Sequence, residues 1–418
     1  MFSREVVEKI LLHCDGKTLK VAETVCVEWK QIVDYLVQKH NLWHKCVHQD
    51  IPTQELLQYK SKWLAASDKC INWEQLYENW MCWHDIKQNI QFHKGTTWKI
   101  NKISCFSVIG DYIAIGLTNG SVKVFNKSGS VVETYRHLIV QVQSIHFVRE
   151  LPTSGETKPP TELLIAYQDK VIINDFRGSY APGTFYNCYI FSSYKNFMCS
   201  VSQEGHITIA KVSNDEANRK KSFQVVTYAR IYSPDTVKSC TLWENVCLIL
   251  VNDKVRVINY KEGSKSSQFM AVELTTLQFS NVYYMMRRDV FIFHDKVIIT
   301  VTKSMDIMQQ QLFELFILND EEKRNSKKMF VPWEVFNAFI TCVYLYGNTL
   351  VIGLSSGVVY FYVIDDWKLF DIANYSESIG MTDVSPIISI DAVESYEKRE
   401  FYIASNTFVR KVIGQTVR

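Results

Sequence analysis

Proline is scarce in this chain, 8 in 418 residues, and glycine reaches only 16. Collagen-like and Pro/Gly-rich low-complexity architectures need both in bulk and are excluded. No apolar run approaches the ~18 residues of a membrane span, so no membrane association is expected. Charge of one sign is missing too. The 46 Lys and Arg stand against 44 Asp and Glu, a formal +2, which argues against a dedicated nucleic-acid surface. The 11 cysteines are scattered, with no Cys-x-x-Cys pair and no secretory signal. An odd, unpatterned set reads as reduced thiols in the cytoplasm and/or the nucleus. Other signatures of chemistry are absent: there is no P-loop, His-Glu-x-x-His, Rossmann glycine pattern or zinc spacing. No catalytic residue, metal or cofactor is expected. What remains is ordinary globular composition, 47% hydrophobic and 22% charged, in a chain long enough for more than one domain.

The first 46 residues hold three short amphipathic segments. Val7, Ile10, Leu11 and Cys14 fall at helical spacing, and Asp15-Gly16 stops that run. Leu19, Ala22 and Cys26 share a second stripe. Trp29, Ile32, Val33 and Leu36 come next at i, i+3, i+4, i+7, before Leu42-Trp43. Helices this short are marginal alone and need a neighbour to pack on.

The spacing of these landmarks resembles an F-box, the motif that docks substrate receptors onto the Skp-type adaptor of cullin-RING ubiquitin ligases. Phe2 and Ser3 stand at its Leu-Pro positions, Glu5 at its Glu, and Ile10-Leu11 at its Ile-Leu. Val25, Cys26 and Trp29 match its Val-Cys-x-x-Trp, and Leu42-Trp43 its closing Leu-Trp. Ser3 departs from the family's proline, but serine is a good helix cap. The resemblance implies an adaptor-binding set of Phe2, Glu5, Ile10, Leu11, Cys14, Leu19, Val25, Cys26 and Trp29.

From about Thr53 to Ile90 a second helical stretch carries Leu56, Leu57, Trp63 and Leu64, then Trp73, Leu76, Tyr77, Trp80 and Trp83. An aromatic cage for a cation is one reading of these rings. The stronger one is glue between the opening module and the next domain, as in the family's Trp-rich linker. Cys82 and His84 are too few for a metal site.

Beyond Ile103 the pattern changes to short β-rich runs. Ile103–Asn126 and Ile340–Val363 align without a gap, pairing Cys105 with Cys342, Gly110 with Gly347, Gly116 with Gly353 and Gly120 with Gly357. The unit is three strands joined by two turns, each glycine serving a positive-φ turn or a close backbone approach. Weaker copies lie at Val237–Asn259, Asp289–Leu318, Leu163–Asn174, Phe197–Val212 and Phe401–Ile413. A period of roughly 45 residues is that of a four-stranded propeller blade. The arrangement loosely resembles the WD-repeat class, without its Trp-Asp dipeptide. Seven blades fit best, and six or eight fit the same spacing. The last unit stops after its third strand, so Gln91–Ile100, with Phe92 and Trp98, is expected to complete it.

The fold class expected is multidomain, α plus all-β: an F-box over 1–46, a helical linker over 47–90 and a WD-repeat-like β-propeller over 91–418. The mixed-charge runs Asn214–Lys221 and Asp320–Lys328 and the Pro-rich Leu151–Glu162 read as surface loops on one face. The opposite face, with short turns at Thr118-Asn119, Glu204 and Ser355-Ser356, is then the more open to a partner. The function implied is a non-catalytic substrate receptor of a Skp–cullin–F-box ligase, binding adaptor and cullin at one end and a protein client on the propeller. A scaffold without ubiquitin transfer and a propeller hydrolase are the alternatives.

Overall fold

The computed structural model describes residues 3–53, 55–56, 59, 71–85, 90–148, 162–175, 182–194, 197–215, 222–233, 236–243, 246–251, 254–261, 270–278, 287–294, 297–303, 311–317, 326–331, 333–381, 384–395 and 398–416. Phe2, Leu57, Trp63, Leu64, the Pro-rich segment before Glu162, the basic end of the first charge run and the start of the second lie outside them.

Four helices open the chain: α1 (Arg4–Leu11), α2 (Gly16–Val25), α3 (Val27–His40) and α4 (Leu42–Asp50). The Ser3 carbonyl accepts from Val6 and Val7 N–H at 3.0 and 3.2 Å, but its hydroxyl makes no cap bond, so the expected side-chain cap is not formed. Asp15 does cap α2, its carboxylate accepting from Thr18 N–H at 2.7 Å. Cys26 is extended (φ −164°) and serves as the joint between α2 and α3. It is therefore exposed and not on the Leu19/Ala22 stripe, because the helix that would have aligned it ends one residue earlier. Asn41, left-handed at φ 49°, turns the chain from α3 into α4. Helix α4 crosses the expected boundary at residue 46. Helix α5 (Trp73–Asp85) comes next, and α6 (Trp333–Phe336) is a single turn among the strands.

Strand β1 (Ile90–Lys99) precedes the repeats. The first sheet is β2–β5 (Ile103–Ile109, Tyr112–Leu117, Ser121–Asn126, Val131–Arg136). The second is β6–β9 (Ser144–Val148, Glu162–Ala166, Lys170–Asp175, Gly183–Tyr186). The third is β10–β13 (Ile190–Tyr194, Phe197–Val201, His206–Asp215, Ser222–Tyr232). The fourth is β14–β17 (Val237–Trp243, Val246–Val251, Lys254–Lys261, Met270–Gln278). The fifth is β18–β21 (Arg287–His294, Val297–Lys303, Gln311–Ile317, Ser326–Val331). The sixth is β22–β25 (Ile340–Tyr346, Thr349–Leu354, Val358–Val363, Glu377–Gly380). The last is β26–β28 (Ile387–Ser395, Lys398–Ser405, Phe408–Thr416), completed by β1.

All seven sheets are four-stranded and antiparallel. The first strand of each touches the first strand of the next, and β26 touches β2, so the sheets close a cycle. Middle strands such as β15 are almost wholly buried because sheets stack on both of their faces, which is why they read as unbroken apolar runs. Outer β5 is mostly exposed and correspondingly polar. The closing pair is the one expected: β1 runs antiparallel to β28, with Phe92 opposite Gly414 and Trp98 opposite Val409.

The repeat glycines do what their spacing implied. Gly110 and Gly347 have φ of 53° and 55°. A Cβ on Gly116 would press on Val142 and Ile145, and one on Gly353 on Ile387, each from the neighbouring sheet. Two expectations fail. Lys327 and Lys328 are not loop residues; they pair with Leu315 and Glu314 on strand β21. Asn214 and Asp215 likewise belong to a strand, β12, paired with Phe223 and Ser222. Charged residues at the ends of strands and on outer strands mimic loops in sequence, because charge runs mark both.

Candidate functional site

The expected adaptor-binding residues divide by burial. Ile10 is 49% and Val25 57% exposed, and Glu5 and Cys26 are exposed with them. Leu11 (1%) and Leu19 (0%) are buried in the core that the helices share. Cys14 and Trp29 are half-buried against that core. Burial pushes the Cys14 thiol up, with Asp15 adding to it. Val6, Val21, Val27 and Tyr35 are exposed as well, though absent from the expected set. Their signal was present: Val6 precedes Ile10, and Val21 precedes Val25, by four residues, so each pair lies along one helix face. Large apolar residues left exposed on consecutive elements mark a surface that meets something.

The other side of the module is tied down. Gly16 N–H and the Tyr77 hydroxyl both donate to Asp50 Oδ2, at 2.8 and 2.7 Å. Lys20 reaches from α2 to Glu78 on α5 at 2.7 Å and also pairs with Glu74 and Glu23. Burial works against its charge, but these carboxylates outweigh it and hold the ammonium above its usual range. Its ammonium also lies 4.8 Å over the Trp43 ring. The rings of α5 are glue, as expected: Tyr77 packs tilted on Trp43, ring centres 5.4 Å apart, and Trp83 lies against Gly414.

One buried cation joins these helices to the sheets. Arg399, fully buried at the start of β27, donates to Asn348 Oδ1 at 2.8 Å, Thr349 Oγ1 at 3.0 Å and the Tyr59 hydroxyl. Its guanidinium lies 4.1 Å over the Trp83 ring. Asn348 in turn donates to the Trp83 carbonyl at 3.0 Å. Glu394 Oε2 is 3.4 Å from Arg399 Nε, within ion-pair range. Burial pushes the Glu394 carboxyl up to about 7, against the pull of Arg399. Nearby, Glu55 accepts from Trp80 Nε1 at 3.2 Å and meets His84 Nε2 at 2.9 Å. Burial alone would raise Glu55, but His84, Arg399 and Trp80 hold it below the usual carboxylate value. The result is one apolar core running from Leu19 and Trp43 through Tyr59 and Tyr77 to Phe92, Phe361 and Phe401.

The ring of sheets offers a second surface, on the short-turn face singled out in the sequence. In the turn between β11 and β12, Gly205 N–H donates to the Ser202 carbonyl at 3.1 Å and Ser202 N–H to the His206 carbonyl at 2.9 Å. Beside it is a pocket of about 340 Å³ lined by Tyr189, Val201, Gln203, Glu204, Ser233 and Thr236, among others. Exposed Tyr186, Tyr189 and Tyr232 stand at the adjoining strand ends. Among the described residues no group of three or more His, Cys, Asp and Glu is placed to hold a metal. No described helix is long and apolar enough to cross a membrane.

No family model matches the chain, and no curated protein matches it. Solved structures do. The β-propeller domain of Cps50 (Swd1) from Myceliophteria thermophila superposes with a TM-score of 0.50, at 10% identity, over 78% of this chain and 100% of that one. The strand-rich part of the chain is therefore a β-propeller. In all, 1065 solved chains match; a fold so widely shared does not select a function, which has to be argued from surfaces.

Proposed function

We propose that the chain is the substrate-recognition subunit of a Skp–cullin–F-box ubiquitin ligase. The helical module binds the Skp-type adaptor, and the seven-bladed, WD-repeat-like propeller binds a protein client. The observation that supports this reading best is the pair of exposed apolar patches, Val6 with Ile10 on α1 and Val21 with Val25 on α2, on helices whose inner side chains belong to the core that continues into the propeller. A receptor of this kind performs no bond chemistry. It holds a client lysine at a fixed distance from the ubiquitin-loaded enzyme and raises its effective concentration. Rigidity between the two ends is then the physical requirement, and the Arg399 cluster meets it. The protein works in the cytoplasm and/or the nucleus, without cofactor, nucleic acid or membrane.

Co-purification from cells with adaptor and cullin tests the proposal. Ile10→Glu with Val25→Glu places two carboxylates in the contact, each costing on the order of several kcal/mol, so adaptor recovery falls by two or more decades. Both positions face water, so the melting temperature stays unchanged. Stoichiometric adaptor on the double variant overturns the reading. A scaffold that binds adaptor without directing transfer is separated by a second measurement: client ubiquitin conjugates are lost with the double variant only if the chain is a receptor.

A further inference from the structure

The short-turn face carries a pocket with a definite chemical character. Glu204 is the only charged side chain among its described lining residues, and it is 82% exposed, so its carboxylate is open to a ligand. His206 Nδ1 lies 3.5 Å from one carboxylate oxygen, Oε2. Tyr189 forms one wall. At the rim the exposed Tyr232 ring lies 5.3 Å from the His206 ring. Val201, Val237 and Ile190 add apolar lining beside the polar Ser202, Gln203, Ser233 and Thr236. A carboxylate beside a tyrosine and apolar side chains suits a cation on an aliphatic stem, since the charge meets the carboxylate while the methylenes pack on the valines and the ring. The same face already holds one cation in this way: Lys170 Nζ lies 5.9 Å over the Tyr186 ring.

We propose that this pocket, between the third and fourth sheets, receives an arginine or lysine side chain from an extended segment of a protein partner. The inference rests on the reading of the propeller as the client-binding part and names the chemistry of the client at that point. It uses nothing of the adaptor face. Tyr189 N–H is already bonded to the Val201 carbonyl at 2.8 Å and the turn to itself, so the pocket keeps its shape without a ligand. Preorganisation of this kind removes part of the ordering cost of binding.

The test is retention of the purified full chain on arrays of heptapeptides in mixed glycine, alanine and serine flanks. The central residue is arginine, lysine, citrulline or glutamate. Arginine and lysine are expected to be retained about tenfold over citrulline, which keeps arginine's shape without its charge. Glu204→Gln and Tyr189→Ala each bring arginine down to the citrulline level. Glu133→Gln, an exposed carboxylate on outer strand β5, leaves the preference intact. The Glu204 side chain makes none of the turn's backbone bonds, so its variant keeps the wild-type melting temperature. Arginine retained no better than citrulline, or a preference that survives Glu204→Gln, overturns the proposal. Adaptor co-purification of Glu204→Gln stays at the wild-type level, so failure here is distinguishable from failure of the adaptor reading.

Discussion

Glu394 and Arg399 face each other across the β26–β27 ladder, both without contact with water. The carboxyl's ordinary value is 4.5, and burial raises it to about 7 in the folded chain. Between those values the folded protein keeps a proton that the unfolded chain has released. Stability therefore falls as pH rises across that window and levels off above it. Glu394→Gln removes the titration. The difference in melting temperature between wild type and variant is expected to change from about pH 5 to about pH 7 and stay constant beyond; parallel curves would exclude Glu394 as the source. A second residue-scale expectation concerns glycine. In Gly353→Ala the new Cβ sits 2.7 Å from Ile387 Cγ2, an overpacking that costs about 1–3 kcal/mol. Gly380→Ala meets nothing within 4 Å and is the neutral control. Denaturant unfolding separates the two.

Adjacent residues on α1 have opposite duties. Ile10 faces outward and Leu11 inward, as a helix step of about 100° requires. The two substitutions to glutamate are thus expected to fail differently. Leu11→Glu buries an unpaired charge among Leu36, Trp43 and their neighbours, lowering the melting temperature of the helical part by several degrees. Ile10→Glu leaves melting untouched and weakens only adaptor capture. Calorimetry beside a pull-down reads both, and identical behaviour of the two variants would remove the distinction between core and contact. Helix α5 works through its rings in the same divided way. Tyr77 and Trp83 are buried between the module and the propeller, while Trp73 and Trp80 cover the seam's edge.

The molecule as a whole depends on one long-range pairing. Strand β1 comes from the start of the propeller and completes the sheet that ends the chain. Arg410 Nε donates to Thr97 Oγ1 at 2.8 Å across that closure. A chain lacking 91–98 leaves β28 with an unpaired edge. Because exposed apolar edges recruit other edges, this deletion is expected to produce aggregate in place of a monodisperse species in size-exclusion chromatography. A truncated chain starting at Ile103 with undiminished thermal stability would show that closure is dispensable.

Periodicity and turn chemistry were legible without coordinates. The helical stripes of α1 to α3, the repeat glycines and the missing outer strand all follow from local spacing, because backbone geometry alone decides which side chains share a face. The tertiary structure decided which face is turned to water. Leu11 and Leu19 stand in the expected adaptor-binding set beside Ile10 and Val25; only packing in the shared core buries the first pair and leaves the second exposed. The Arg399 cluster was invisible for the same reason, since it gathers Tyr59, Trp83, Asn348 and Glu394 from segments up to 340 residues apart. So was the Glu204 pocket, whose walls come from strands of two different sheets. A sequence records what each element can bury, but contact between distant elements is settled only when the cycle of sheets closes.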